Sequence, residues 1–119
     1  TIIPGMLLKD GQCAGVFGVM GAYMQPQGHF QVISNLLDFD LNPQMALDAP
    51  RWQWVKDKTF MVEANFDPKI IQELEERGHI IKVVDDRTHF GRGQIILKLE
   101  HGVYVAGTES RTDSNLAIY

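Results

Sequence analysis

The chain has 119 residues, a formal charge of −4 at pH 7 and 45% hydrophobic residues, which is enough apolar material for one core and a single unit, 1–119. The acidic balance without a Lys/Arg block excludes a nucleic-acid or membrane-surface footprint, and no apolar run approaches bilayer-spanning length. Its single cysteine, Cys13, excludes an internal disulfide framework and a paired-cysteine metal site.

The chain starts at Thr1 and runs at once into strand-like residues without a leader, as expected of a piece of something longer. Residues 5–8 and 13–20 read as two strands, joined by Lys9-Asp10-Gly11-Gln12, where Asp10-Gly11 supplies the residues a tight hairpin prefers at positive φ. Cys13, inside the second strand, is expected to be a small core residue. Ala14, Gly15 and Gly18 in the same strand mark a face that another element approaches closely.

From Gln27, the apolar residues Phe30, Ile33, Leu36, Leu37 and Leu41 recur at three- and four-residue spacing, which predicts a helix laying that stripe on the core. Pro26 suits its first turn. Asn42 is expected to cap a short helix with Pro43 in its first turn and Pro50 after its end. Residues 51–55 and 59–63 form a second predicted hairpin across Lys56-Asp57-Lys58. Asp67-Pro68 opens a third helix that runs to Gly78, with Ile70, Ile71 and Leu74 facing in and Glu73, Glu75, Glu76 and Arg77 facing water. Strands at 79–84, 94–99 and 103–106 follow, the last two joined by Glu100-His101-Gly102, and the tail from Glu109 is polar. Strand pairs and helix pairs without a regular βαβ rhythm fit a layered α+β fold.

The stretch 18–31 is the hinge, because an apolar strand runs into it and an amphipathic helix runs out. A strand that ends at glycine and hands over to a helix leaves backbone N–H groups without internal acceptors, and such a turn can hold an anion or an oxyanion. The alternative is a plain strand-to-helix connection.

Pro4 with Lys9-Asp10-Gly11, the turn at 18–22, Gln31-Val32 with Asn35, Asn42-Pro43, Ala46 with Asp48-Ala49-Pro50-Arg51, and Arg111 with Asp113 resemble the C-terminal part of the gamma-glutamyltransferase (gamma-glutamyltranspeptidase) family, over the whole chain length. The resemblance implies an N-terminal-nucleophile (Ntn) hydrolase: an αββα four-layer sandwich of mostly antiparallel sheets with helices outside, made when a precursor cleaves itself into a large and a small subunit. It implies gamma-glutamyl transfer or hydrolysis by an N-terminal threonine whose own amine is the base, with neither metal nor organic cofactor. That threonine lies upstream of the region this chain resembles, so the chain alone is expected to be inactive. The backbone N–H groups of the oxyanion hole fall on Gly21 and Ala22, where alanine replaces the family's second glycine and requires a negative or modestly strained φ. Met20 stands where well-studied members have proline. A serine that holds the substrate α-carboxylate falls on Thr1. The implied partners are a gamma-glutamyl small molecule and the remainder of the precursor, and the isolated chain, with apolar faces uncovered, is expected to self-associate. A binding or assembly module of the same descent, and Thr1 as nucleophile, are the alternatives.

His29, His79, His89 and His101 are spaced too irregularly for a metal site. The run 89–94 lacks the Lys-Ser/Thr of a phosphate loop and is expected to lead into a strand. Trp52 and Trp54 share a strand face and predict a buried aromatic cluster at a sheet edge, the alternative being an aromatic platform for a ligand. Arg111 and Asp113 are expected to pair with other parts of the subunit.

Overall fold

The computed structural model describes residues 2–118. In chain order its elements are β1 (Gly5–Lys9), β2 (Gln12–Met20), α1 (Gln25–Leu37), α2 (Pro43–Asp48), β3 (Trp52–Lys56), β4 (Thr59–Glu63), α3 (Pro68–Glu76), β5 (Ile80–Val84), β6 (Arg92–Lys98) and β7 (Tyr104–Thr108). The strands form a four-stranded sheet in the order β1-β2-β6-β7 and a three-stranded sheet in the order β3-β4-β5. All pairs are antiparallel except β4 with β5, which α3 joins as a parallel crossover.

Local chemistry sets most element ends. Asp10 (φ 52°) and Gly11 (φ 75°) both take the left-handed conformation that a two-residue hairpin needs. Asn42 accepts the N–H of Met45 at 2.9 Å and caps α2, and Asp67 accepts the N–H of Lys69 at 2.9 Å and caps α3. Cys13 is exposed, contrary to the core position expected of it. It sits beside the β1-β2 turn, just past a register shift, opposite Leu8, which is exposed as well.

The core lies between the four-stranded sheet and helices α1 and α2, and consists of Val19, Val32, Leu36, Ala46, Leu47 and Ile95. The face that α1 buries differs from the predicted stripe: Gly28, Val32 and Leu36 point inward with Gln25 and Gln31, whereas Phe30 and Leu37 are exposed. Close approach explains the rotation. A Cβ on Gly28 would stand 2.7 Å from Val19 Cγ1, so the contact line runs along residues 28, 32 and 36, one helical turn apart.

Two glutamines of α1, the half-buried Gln27 and the buried Gln31, serve the smaller sheet. Gln27 accepts the N–H of Trp54 at 2.7 Å and donates to its carbonyl at 3.3 Å, and Gln31 repeats the pair on Trp52 at 3.0 and 2.8 Å. Residues four apart on a helix thereby match residues two apart on the outer strand β3. Gln44 of α2 makes the same pair with Thr108 of β7, at 3.0 and 2.9 Å.

Helix α3 is less covered than expected, with Ile70 exposed and no residue fully buried. Between α3 and the smaller sheet runs an apolar groove of about 280 Å³ lined by Trp52, Phe60, Val62, Phe66, Ile70 and Leu74. The outer face of the four-stranded sheet is bare: Met6, Val16 and Ile96 are cross-strand neighbours and all exposed. Residues 2–4 run along one side of a groove of about 330 Å³ on that face. No helix among the described residues is long and apolar enough to cross a membrane.

Candidate functional site: the Gly21–Ala22 turn and its ionic support

Strand β2 ends at Met20, and the chain turns through Gly21 (φ 150°, ψ 36°) and Ala22 (φ 50°) into one turn of 3-10 helix, residues 22–24, that leads into α1. The N–H of Met24 closes this turn on the carbonyl of Gly21 at 2.9 Å. Ala22 takes the strained branch of the expectation, since the left-handed region disfavours any Cβ by about 1–2 kcal/mol. The N–H groups that open a helix have no acceptor behind them. Successive backbone N–H groups at a strand end are the kind of donors that can stabilise a developing oxyanion.

The turn rests on Gly91. A Cβ on Gly21 would lie 3.0 Å from Gly91 Cα, and one on Gly91 (φ 77°) would lie 2.7 Å from the carbonyl oxygen of Met20. Two backbones meet here with no side chain between them.

Behind Gly91, where α2 and both sheets converge, stand four buried charged side chains: Arg51, Glu63, Glu109 and Arg111. Arg51 donates through Nη1 to the carbonyls of Phe90 and Gly91, both at 3.0 Å. Its Nη2 reaches the Leu47 carbonyl at 3.2 Å and Glu109 at 3.0 Å. Arg111 grips both oxygens of Glu63 at 2.7 and 2.6 Å and Glu109 Oε1 at 2.8 Å. Glu109 Oε2 also accepts the N–H of Gly93 at 2.6 Å, and Glu63 accepts from the Arg51 N–H at 2.8 Å and Arg87 Nε at 3.0 Å. Burial pushes the Glu63 carboxyl up, but the bonds from Arg111, the Arg51 N–H and Arg87 outweigh it and hold the group below the ordinary glutamate value. The arginines diverge. Burial works against the charge of both, yet Arg111 is raised by its carboxylate bonds, whereas burial and the neighbouring Arg111 charge lower Arg51, which bonds a single carboxylate.

Arg111 thus pairs within this chain, as expected, while Asp113 is exposed in the tail. The sequence reading left Glu63 and Glu109 unassigned. One signal was present: the hairpin register that sets Trp52 opposite Val62 brings Arg51 opposite Glu63, opposite charges at the mouth of the hairpin.

The other candidates separate. Thr1 lies outside the described residues. His29 is absorbed structurally, with Nδ1 2.7 Å from the Gln25 carbonyl, Nε2 2.7 Å from that of Ile3, and its ring on Phe17. His79 packs edge-on against Phe60. Residues 87–90 form a 3-10 turn leading into β6. The two tryptophans do not cluster together: Trp52 packs edge-to-face with Phe30 and Phe60, whereas Trp54 is exposed and donates to the Asp57 carbonyl at 3.0 Å. Among the described residues no three His, Cys, Asp or Glu side chains are grouped so as to hold a metal ion.

Comparison with known proteins extends this geometry. The chain is 33% identical over 119 residues to the glutathione hydrolase-like YwrD proenzyme of Bacillus subtilis (strain 168), an alignment covering 95% of this chain and 23% of that protein. It is 57% identical to the cephalosporin acylase of Bacillus halodurans, whose crystal structure it matches with a TM-score of 0.97 over 100% of this chain and 22% of the other. The gamma-glutamyltranspeptidase of Pseudomonas nitroreducens complexed with L-DON shares the fold at a TM-score of 0.86 and 21% identity, over 100% of this chain and 62% of that one. The mixed α+β architecture, with mostly antiparallel sheets, is the one the chain shares with these two structures. The family model described as gamma-glutamyltranspeptidase matches residues 1–119, and the chain belongs to that family.

Proposed function

We propose that this chain is the C-terminal part of the small subunit of an Ntn-hydrolase precursor that transfers or hydrolyses acyl groups held in amide linkage. In this reading the chain supplies the oxyanion turn, and the nucleophilic threonine lies on an upstream part of the precursor. The observation that carries the reading is the strained Ala22, a non-glycine residue at φ 50° directly after β2, in a family match spanning the whole chain. Strain of this kind persists where the surroundings enforce it and concentrates at working sites.

The chemistry follows from the donors. The threonine Oγ attacks the amide carbonyl while its own amine takes the hydroxyl proton, and the carbonyl oxygen gathers negative charge. N–H groups of Gly21 and Ala22, held about 2.7–3.1 Å from that oxygen, stabilise it more than they stabilise the planar amide. The leaving amine takes the proton as the C–N bond breaks, and water or an acceptor amine then releases the acyl group from the ester. Thr1 would contribute a hydroxyl to the substrate carboxylate.

Two acyl classes are supported. Gamma-glutamyl amides follow from the family, and the acyl side chain of a cephalosporin follows from the 57% identity to an acylase of that name. The test is expression of the complete precursor and assay with a gamma-glutamyl anilide and an acylated cephalosporin, beside the 119-residue chain alone. Turnover by the precursor and none by the chain is expected; turnover by the chain that survives repurification would overturn the assignment of the nucleophile. No Thr1-dependent mass gain is expected when the chain meets a gamma-glutamyl electrophile.

A second reading, a binding or assembly module, draws on the bare outer face of the four-stranded sheet, where Met6, Val16 and Ile96 lie exposed. In the proposed enzyme that face meets the remainder of the precursor, and the isolated chain self-associates through it. A dye-silent monomer on sedimentation would favour the module.

A further inference from the structure

The oxyanion turn has no side chain of its own to fix it from behind. Gly21 rests on Gly91, and Gly91 is held by Arg51. We propose that Arg51 is a positioning residue for the oxyanion turn, acting through the Phe90–Gly91 carbonyls, an inference that rests on the oxyanion reading of Gly21 and Ala22.

The chain of contacts is short and continuous. One nitrogen of Arg51 holds two successive carbonyls, Phe90 and Gly91, at 3.0 Å each. The other nitrogen is tied to Glu109, whose same oxygen takes the Gly93 N–H at 2.6 Å. Residues 90, 91 and 93 are therefore fastened from the inner side by one buried ion pair. On their outer side Gly91 abuts Gly21 and the Met20 carbonyl, close enough that a methyl group fits at neither glycine. Met24, fully buried, closes the remaining flank, with its Cγ 3.5 Å from the place of a Gly91 Cβ. With Val19 Cγ1 2.9 Å and the Met20 carbonyl oxygen 2.7 Å from that same place, Gly91 is in tight contact with the turn and the end of β2.

The planar guanidinium suits this work because its fork spans carbonyls on one side and a carboxylate on the other. Lysine at this place keeps the charge opposite Glu109 but cannot hold both sets of acceptors. Misplacement of an oxyanion donor by about 1 Å costs roughly 10²-fold in rate, whereas substrate contacts elsewhere are untouched. The expected signature is a fall in kcat with KM preserved.

The experiment uses the complete, matured precursor and measures kcat, KM and amide hydrogen exchange of the segment 20–24 in Arg51→Lys, Gly21→Ala and Arg77→Met. Arg77, just past the end of α3, is an exposed arginine that pairs with Glu73 and lies outside the ionic cluster. Arg51→Lys is expected to lower kcat about 10- to 100-fold, to leave KM within about twofold and to speed exchange at the turn, while Arg77→Met changes neither. Gly21→Ala, which strains the turn directly, is expected to lower kcat as well. If Gly21→Ala lowers kcat and a folded Arg51→Lys leaves both kcat and exchange unchanged, the positioning role is overturned and the oxyanion reading stands. If Gly21→Ala is silent, the oxyanion reading itself falls, and this proposal with it. Should Arg51→Lys fail to mature, Glu109→Gln decides the matter: a fall in kcat at constant KM supports the role, and unchanged kcat refutes it.

Discussion

Replacing Arg111 by Met removes five hydrogen bonds at once: two to Glu63, one to Glu109 and one each to the carbonyls of Leu47 and Ala49. Glu63 and Glu109 are fully buried and stay behind. Glu63 keeps the Arg51 N–H and Arg87, and Glu109 keeps Arg51 and the Gly93 N–H, so each is weakened and neither is abandoned. Removing one partner from a buried ion pair costs about 3–5 kcal/mol, because the remaining charge has lost its water and its counter-ion together. Against a typical domain stability of about 5–15 kcal/mol, this is a large fraction. Urea unfolding of the purified chain should show the midpoint falling while the slope stays constant. Adding Glu63→Gln to Arg111→Met should recover part of the loss, since the stranded charge is then gone. A cost of about 1 kcal/mol or less, as for an exposed pair, or full additivity in the double variant, would refute the reasoning.

Three further outcomes are expected. The folded-state pKa of Glu63 is depressed, so its stabilising contribution is complete above the ordinary glutamate value of about 4.3 and drains away as pH falls through the lower folded value; unfolding free energies measured from pH 7 to pH 3 should lose that acid limb in Glu63→Gln, and an unchanged limb would refute the assignment. Gly28→Ala should lower Tm although alanine favours helix by about 1 kcal/mol, because the new methyl meets Val19 at 2.7 Å; a raised Tm would show that α1 has room to move. Removing both amides, Gln27→Ala with Gln31→Ala, should uncover β3 and raise concentration-dependent association in sedimentation, with no change expected from Gln72→Ala on the exposed face of α3.

What the sequence made legible was whatever is decided within a few residues. Asp10-Gly11, Asn42-Pro43 and Asp67-Pro68 each carry their own conformational instruction, and the structure follows them. The facing of α1 was not legible, because an apolar stripe is a guide only when the contact is made by large side chains. Here a glycine admits the sheet and two glutamines face a strand, leaving Phe30 outside. Cys13 misled for a related reason: a place in an apolar strand does not say whether anything covers that part of the sheet. The turn at Gly21 was visible by its glycine and by resemblance, but its support was not. Hairpin register links Arg51 to Glu63, but Gly91 and Glu109 lie far along the chain, and nothing in their own neighbourhoods points to that pair.

The glutamine pairs on Trp52, Trp54 and Thr108 occupy backbone groups that a neighbouring strand would otherwise take. The smaller sheet is thereby closed along β3 and the larger sheet is stopped at the Thr108 end of β7, whereas among the described residues no side-chain amide pairs with β1 or β5. A strand added to the larger sheet by main-chain pairing finds its full row of partners beside β1, and one added to the smaller sheet finds it beside β5. Growth of the structure by strand addition accordingly has a direction, set by three amide groups on two helices.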